Sequence, residues 1–154
     1  MTTTKRKTPT LPNKPSALVR VARRDLIACM KQPKKFAINM GTWMNQYHPD
    51  GPCTVCQAGA VMARTLKIKP TYGRETYPSE AVGAGRTHSQ LSALNYLRGG
   101  GTLGVECFLQ ELDMPREYRY PKWMKTAYAT FEDNSKKYLK WLERVELWLR
   151  RKGL

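Results

Sequence analysis

The chain has 154 residues, 41% of them hydrophobic, and carries 27 lysines and arginines against 12 aspartates and glutamates, for a formal net charge of +15. This length suits one domain with one core, and the excess of positive charge favours an anionic partner such as a nucleic acid, an acidic protein face or a membrane surface. Because no apolar run approaches the ~20 residues of a membrane helix and the polar N-terminus is unlike a secretory signal, we expect a cytoplasmic protein with no membrane insertion and with reduced cysteines.

Residues 1–15 are predicted to form a flexible basic tail. They are rich in threonine, proline and lysine and have almost nothing to bury, which is typical of a disordered segment. Lys5, Arg6 and Lys7 suit contact with phosphates, although such tails also occur as solubilising segments. Residues 16–154 are predicted to form a single, mostly α domain, a compact bundle of about five helices with irregular loops.

An amphipathic helix is predicted from about Ala17 to Met30, with Ser16 as its N-cap. Apolar residues recur at helical spacing along one side, and basic residues occupy the opposite side. An arginine guanidinium offers a planar fork to phosphate oxygens, so this outer face is a candidate for contact with nucleic acid; a solvated face without a partner is the alternative. The candidate contacts in this region are Arg20, Arg23, Arg24, Lys34 and Lys35.

Residues 36–66 read FAINMGTWMNQYHPDGPCTVCQAGAVMARTL. The prolines and the glycine in residues 47–52 favour a turn. The apolar spacing after the turn predicts a largely buried helix from Cys53 to Leu66.

The same segment carries a resemblance to a known group of proteins. Its order of Met40-x2-Trp43, a turn, and then Cys53-x2-Cys56-x-Ala-Gly59 resembles small uncharacterised proteins encoded by bacteriophages and their hosts, although Thr54 stands where such proteins often have glycine. The resemblance implies an origin in a mobile element. It implies no particular activity, and no catalytic or binding residue is carried over from it.

The cysteine pair allows two chemical interpretations besides simple burial. His48, Cys53 and Cys56 are three candidate zinc ligands, for which a fourth would come from Cys29, His88 or Cys107. A strong zinc pattern would need a second pair of ligands at close spacing, and the sequence has none. A thiol near a helix N-terminus has a lowered pKa and can act as a nucleophile. We favour two packed thiols at the start of a buried helix, so no metal and no cofactor are predicted.

The middle of the chain contains a long connection and two predicted helices. Residues 71–86 are rich in glycine, proline, serine and tyrosine, and are predicted to contain short strands or a binding loop. Thr87 and Gln90 have the spacing of a capping box that opens a helix, and the glycines of residues 99–101 end it. A second short helix is predicted from Thr102 to before Pro115, and its acidic side chains are wrong for a recognition helix in a DNA groove.

The C-terminal third is predicted to be helical from Pro121 onward, with a break or restart at residues 133–135. An aromatic stripe that includes Tyr138, Trp141 and Trp148 is interpreted as core or helix-pair packing, and a contact patch for a partner protein is the alternative. Basic side chains on the other faces are further candidate contacts with nucleic acid: Lys136, Lys137, Lys140 and Arg144.

These patterns predict a small, non-enzymatic phage or mobile-element accessory protein that binds DNA or RNA through its basic N- and C-terminal regions. Two alternatives stay open. One is a protein that binds and modulates a host assembly such as a polymerase, a ribosome or a defence complex. The other is a cysteine- or zinc-centred enzyme built on Cys53 and Cys56.

Overall fold

The computed structural model describes residues 9–99 and 127–154, which contain five helices and three short strands. In chain order these are α1 (Pro15–Met30), β1 (Phe36–Ile38), β2 (Met44–Asn45), β3 (Cys53–Val55), α2 (Gln57–Arg64), α3 (Pro78–Val82), α4 (Arg86–Gly99) and α5 (Ala127–Arg151). The prediction of a mostly helical fold is confirmed. The fold is not purely a helical bundle with irregular loops, because residues 36–55 also contribute a three-stranded sheet that was not predicted there. The predicted helix after Thr102 and the predicted helix start at Pro121 lie outside the described residues.

α1 packs its apolar stripe against α2 and α5 at the centre of the fold. The helix begins at Pro15, whose fixed φ suits a first helical position, and Lys14 precedes it without a side-chain capping bond. The prediction of Ser16 as the N-cap is therefore wrong, since Ser16 lies buried inside the first turn. The side chains of Leu18, Ala22 and Leu26 are almost completely buried.

Gln90 in α4 holds the segment before α1 against the fold. Its Nε2 donates a hydrogen bond of 2.8 Å to the carbonyl of Pro12, and the neighbouring Leu11 is buried. The end of the predicted tail is thus packed on the core. Because α4 begins at Arg86 and the Gln90 amide is bonded to Pro12, the predicted capping box of Thr87 and Gln90 is wrong.

The three strands form a small mixed sheet in the order β1-β3-β2. β1 and β3 are parallel, with Phe36 opposite Cys53, whereas β2 and β3 are antiparallel, with Asn45 opposite Thr54. The predicted turn in residues 47–52 is confirmed, and the amide of Gln46 donates to carbonyls at both ends of it. Cys53 begins a strand, so the helix that was predicted from Cys53 to Leu66 spans only Gln57–Arg64.

Cys56 joins the sheet to the start of α2. It is the N-cap residue, and its Sγ accepts a hydrogen bond of 3.4 Å from the Gly59 N–H. Its own N–H donates to the carbonyl of Trp43 at 3.3 Å, and its thiol lies 3.9 Å from the same oxygen. A Cβ atom on Gly59 would lie 1.6 Å from that oxygen. Trp43, Cys56 and Gly59 therefore meet in one close contact.

A buried polar link joins three helices in the core. The Tyr138 hydroxyl of α5 donates to Gln57 Oε1 of α2 at 2.6 Å, and Gln57 Nε2 donates to the Leu94 carbonyl of α4. Both side chains are fully buried, so each bond satisfies a polar group that water cannot reach.

α5 is a single helix with a buried aromatic stripe. It continues through residues 133–135, so the predicted break there is wrong. Tyr138, Trp141 and Trp148 are buried, with the first two rings packed edge to face, which confirms the interpretation of the stripe as core. Across the described ranges, neither α5 nor any other helix is long and apolar enough to span a membrane.

Candidate nucleic-acid interface

Two of the arginines predicted to contact phosphates are bound to a buried carboxylate of α5. Arg20 Nε lies 2.7 Å from Glu146 Oε1, and Arg23 Nη2 lies 3.1 Å from Glu146 Oε2. The Glu146 side chain is only 4% exposed, and a buried charge of this kind needs such partners. Arg23 also lies 4.0 Å from Glu143. Arg20 and Arg23 thus hold α1 against α5, and carboxylates balance much of their charge.

Arg24 is held by Asp25, its neighbour in α1. Arg24 Nε and Nη2 lie 3.2 and 3.1 Å from Asp25 Oδ1, and Nη2 also donates to the Thr65 hydroxyl at 2.9 Å. The buried Asp25 carboxylate accepts a further bond from Thr65 and has Arg64 Nε at 4.0 Å. Arg24 remains 63% exposed, but a phosphate would have to compete with Asp25 for its guanidinium.

The outer face of α1 also carries an open depression of about 360 Å³, lined by Arg20, Arg23, Arg24, Ile27, Ala28 and Lys31. Lys31 differs from the three arginines because it has no ion pair with any described residue. It continues the stripe of Arg20, Arg24 and Ile27, since these positions recur every three or four residues. Along this stripe the arginines have carboxylate partners, whereas Lys31 at the end of the helix has none among the described residues.

The chain turns tightly after α1 and exposes three lysines there. The Lys31 N–H donates to the Ile27 carbonyl, and the N–H groups of Lys35 and Phe36 both donate to the Gln32 carbonyl. These bonds keep Lys31, Lys34 and Lys35 close to the helix end, and all three side chains are exposed.

The packing of α5 on α1 brings three more lysines to this end. The contacts of Arg20 with Glu146 and of Arg23 with Glu143 are those of antiparallel helices. Lys31 lies eight residues after Arg23 in α1, and Lys136 lies seven residues before Glu143 in α5. At 1.5 Å per residue, each lysine is about 11–12 Å from the Arg23–Glu143 contact, so the two lie at a similar level along the helix pair. Lys136, Lys140 and Glu143 share one face of α5 because their spacing is i, i+4 and i+7. Lys137 is at the same end of α5 but about 100° around the helix from Lys136. We call the six lysines at this end of the helix pair the lysine cluster: Lys31, Lys34, Lys35, Lys136, Lys137 and Lys140.

The lysine cluster is a concentration of unbalanced positive charge. All six side chains are exposed, and within the described ranges none of them forms an ion pair. Like charges held together raise the local potential and attract anions. Five of the six were candidates from the sequence; Lys31 was not, although its place on the basic stripe of α1 was a usable signal.

The remaining candidates for contact with nucleic acid lie elsewhere. Arg144 is exposed on α5 and interacts with other residues of the chain. Lys5, Arg6 and Lys7 lie outside the described residues. The structure thus brings together candidates from both basic regions of the sequence, but it separates the paired arginines of α1 from the unpaired lysines.

His48, Cys53 and Cys56 are not grouped as metal ligands in the described part of the chain. In the part of the chain that the structure describes, no three His, Cys, Asp or Glu side chains are grouped to hold a metal ion, and Cys107 lies outside that part. Cys53 and Cys56 are buried, whereas His48 is exposed in the turn. Burial raises the pKa of the Cys53 thiol to about 11 and that of Cys29 to about 12. The alternative of a nucleophilic thiol with a lowered pKa is therefore wrong for Cys53. The prediction of two packed, buried thiols is confirmed.

Comparison of the chain with protein-family models, with curated proteins and with solved structures found no match.

Proposed function

We propose that this protein binds nucleic acid without catalysing a reaction, and that its basic N- and C-terminal regions act together through the lysine cluster. Two observations support this proposal: the antiparallel contact of α1 with α5 places six exposed lysines toward one end of the helix pair, and none of the six has a carboxylate partner in the described residues. The origin in a mobile element, which the sequence resemblance implies, stays a prediction.

The chemistry of lysine fits contact with a phosphate backbone. A lysine ammonium is a compact charge on a flexible stem with three donors, so a group of lysines binds phosphates without demanding one geometry or one base sequence. Each neutralised phosphate releases condensed counterions, which makes such binding strong at low salt and weak at high salt. The α1 arginines contribute less, because Glu146 and Asp25 already accept their hydrogen bonds.

The test is the affinity of the nuclease-treated protein for DNA and RNA across a series of salt concentrations. The variant Lys34→Gln/Lys136→Gln removes one cluster lysine from each basic region. We expect it to bind more weakly at low salt and to reduce the slope of log K against log salt by about 2, that is, by about one for each lost contact.

The matched control is Lys67→Gln/Lys69→Gln, which removes the same charge from two exposed lysines after α2. This variant should retain the slope of the unmodified protein. Equal losses in the two variants would show that net charge alone matters and would contradict the assignment to the lysine cluster. Absence of binding at low salt would contradict nucleic-acid binding itself, and a protein partner would then be sought by nuclease-resistant co-purification.

A further inference from the structure

One end of the sheet lies next to the lysine cluster. Phe36 is opposite Cys53 at this end. Continued by one residue, the antiparallel register of β2 brings Gln46 to the level of Cys53, and an isolated bridge joins Gln46 to Tyr72. Lys35 directly precedes Phe36, and its carbonyl accepts a hydrogen bond of 2.8 Å from the Cys53 N–H. Neighbouring strands are ~4.8 Å apart, so three such steps place the Tyr72 backbone roughly 14 Å from that of Phe36.

Two exposed tyrosines occupy this end of the sheet. β2 runs antiparallel to β3, so Tyr47 follows Gln46 in the direction of Lys35. Tyr72 lies beside Gln46, since the two residues form an isolated bridge and the N–H of the next residue, Gly73, donates to the Gln46 carbonyl at 3.0 Å. The two residues are 54% and 59% exposed. Two large aromatic side chains are therefore exposed at the end of the sheet that Lys35 adjoins.

The geometry points to a binding surface for single-stranded nucleic acid, in which Tyr47 and Tyr72 stack on bases while Lys34 and Lys35 neutralise the adjacent phosphates. This inference rests on the proposed function and assigns its substrate class. Surfaces that bind single strands combine a positively charged track with aromatic side chains, and every base has a face on which a ring can stack. In a duplex the bases already stack on each other, so the tyrosines would add nothing to duplex binding.

A third exposed tyrosine provides a control within the same fold. Tyr77 is 45% exposed but follows Thr76, whose N–H donates to the carbonyl of Met44 at the opposite end of β2. A hydrogen bond to the Glu75 carboxylate also raises the pKa of Tyr77. Tyr77 therefore has the same side chain and a similar exposure, but it follows the residue that is bonded to the opposite end of β2.

The experiment compares a short labelled oligodeoxythymidine with a hairpin duplex that has the same number of phosphates, by fluorescence anisotropy at low salt. Tyr47→Ala and Tyr72→Ala should each weaken single-strand binding by about fivefold or more, which is the lower end of the stacking contribution of one base. Tyr47→Phe should keep the affinity, because it keeps the ring. Tyr77→Ala should also keep it, and duplex binding should not change in any of these variants.

Three results would overturn this inference while leaving nucleic-acid binding in place. They are an unchanged single-strand affinity in the Tyr47→Ala/Tyr72→Ala double variant, an equal loss in Tyr77→Ala, and binding of the unmodified protein to the duplex alone. Failure of the unmodified protein to bind either probe would overturn both proposals. Circular dichroism verifies that the variants are folded, as expected for exposed side chains.

Discussion

Gly59 illustrates how one residue fixes the junction between the sheet and α2. The Gly59 backbone packs so tightly against the Trp43 carbonyl that there is no room for a Cβ atom, and the same carbonyl accepts a hydrogen bond from the Cys56 backbone. A side chain at residue 59 would separate these groups. The contact thus couples the position of β2, which ends the sheet, to the first turn of α2.

Gly59→Ala should therefore destabilise the protein strongly. The new Cβ would lie 1.6 Å from the Trp43 oxygen, and relief of that overlap requires a backbone shift in the core, for which we expect a loss of about 3 kcal/mol in the free energy of unfolding. Urea denaturation measures this loss. Gly51→Ala is the control, because its nearest neighbour is the Cβ of His48 at 3.3 Å in an exposed turn, and it should cost less than about 1 kcal/mol. Equal stability of both variants would contradict the account of this junction.

The limits of sequence reasoning at this scale are visible in the same residues. The turn in residues 47–52 could be predicted because proline and glycine act locally. The strand at Cys53–Val55 could not, because three residues are too few to show the alternation of a strand, and its partners in β1 and β2 are set by the fold. The burial of the thiols followed from their apolar surroundings, but the capping role of the Cys56 sulfur depends on a backbone geometry that the sequence does not display.

At the scale of secondary-structure elements, the pairing of α1 with α5 determines which basic residues are available. Both helices were predictable from their apolar stripes, since helical periodicity is a local property. Their pairing was not, because Arg20 and Glu146 are 126 residues apart and nothing in the sequence indicates which acidic residue meets which arginine. The helix that carries the arginines was therefore predicted correctly, whereas the carboxylates that pair with Arg20 and Arg23 were not.

Glu146→Gln tests this pairing. The substitution removes the charge that two arginines share, so we expect a loss of about 2 kcal/mol in the free energy of unfolding, the usual contribution of hydrogen bonds to a charged group. It also releases Arg20 and Arg23, so the affinity for nucleic acid should rise. Chemical denaturation and a binding titration measure the two effects.

Glu143→Gln is the matched control for Glu146→Gln, because it makes the same change in net charge. The Glu143 side chain is 53% exposed and lies 4.0 Å from Arg23, so its loss should cost less than about 1 kcal/mol and raise the affinity less. If both variants bind equally tightly, release of the arginines is not the cause. If Glu146→Gln is as stable as the unmodified protein, the buried pairing does not stabilise the α1–α5 contact.

At the scale of the whole molecule, basic residues that have carboxylate partners and basic residues that have none lie in different places in the described part of the chain. Carboxylates at residues 25, 143 and 146 balance the arginines of the α1 face, whereas the lysines at the other end of the same helix pair have no acidic partner among the described residues. Both terminal regions are recognisably basic in the sequence. The placement of residues 31–35 and 136–140 toward the same end of the α1–α5 pair could not be predicted, because it depends on the antiparallel packing of two helices far apart in the chain.

The measurement that tests the central claim most directly is the acetylation rate of each lysine, followed by mass spectrometry, with and without bound nucleic acid at low salt. If phosphates contact the lysine cluster, binding should slow the acetylation of Lys31, Lys34, Lys35, Lys136, Lys137 and Lys140. Lys67 and Lys69, which are also exposed, should react at the same rate in both samples. A cluster that stays as reactive in the complex as in the free protein would contradict the account.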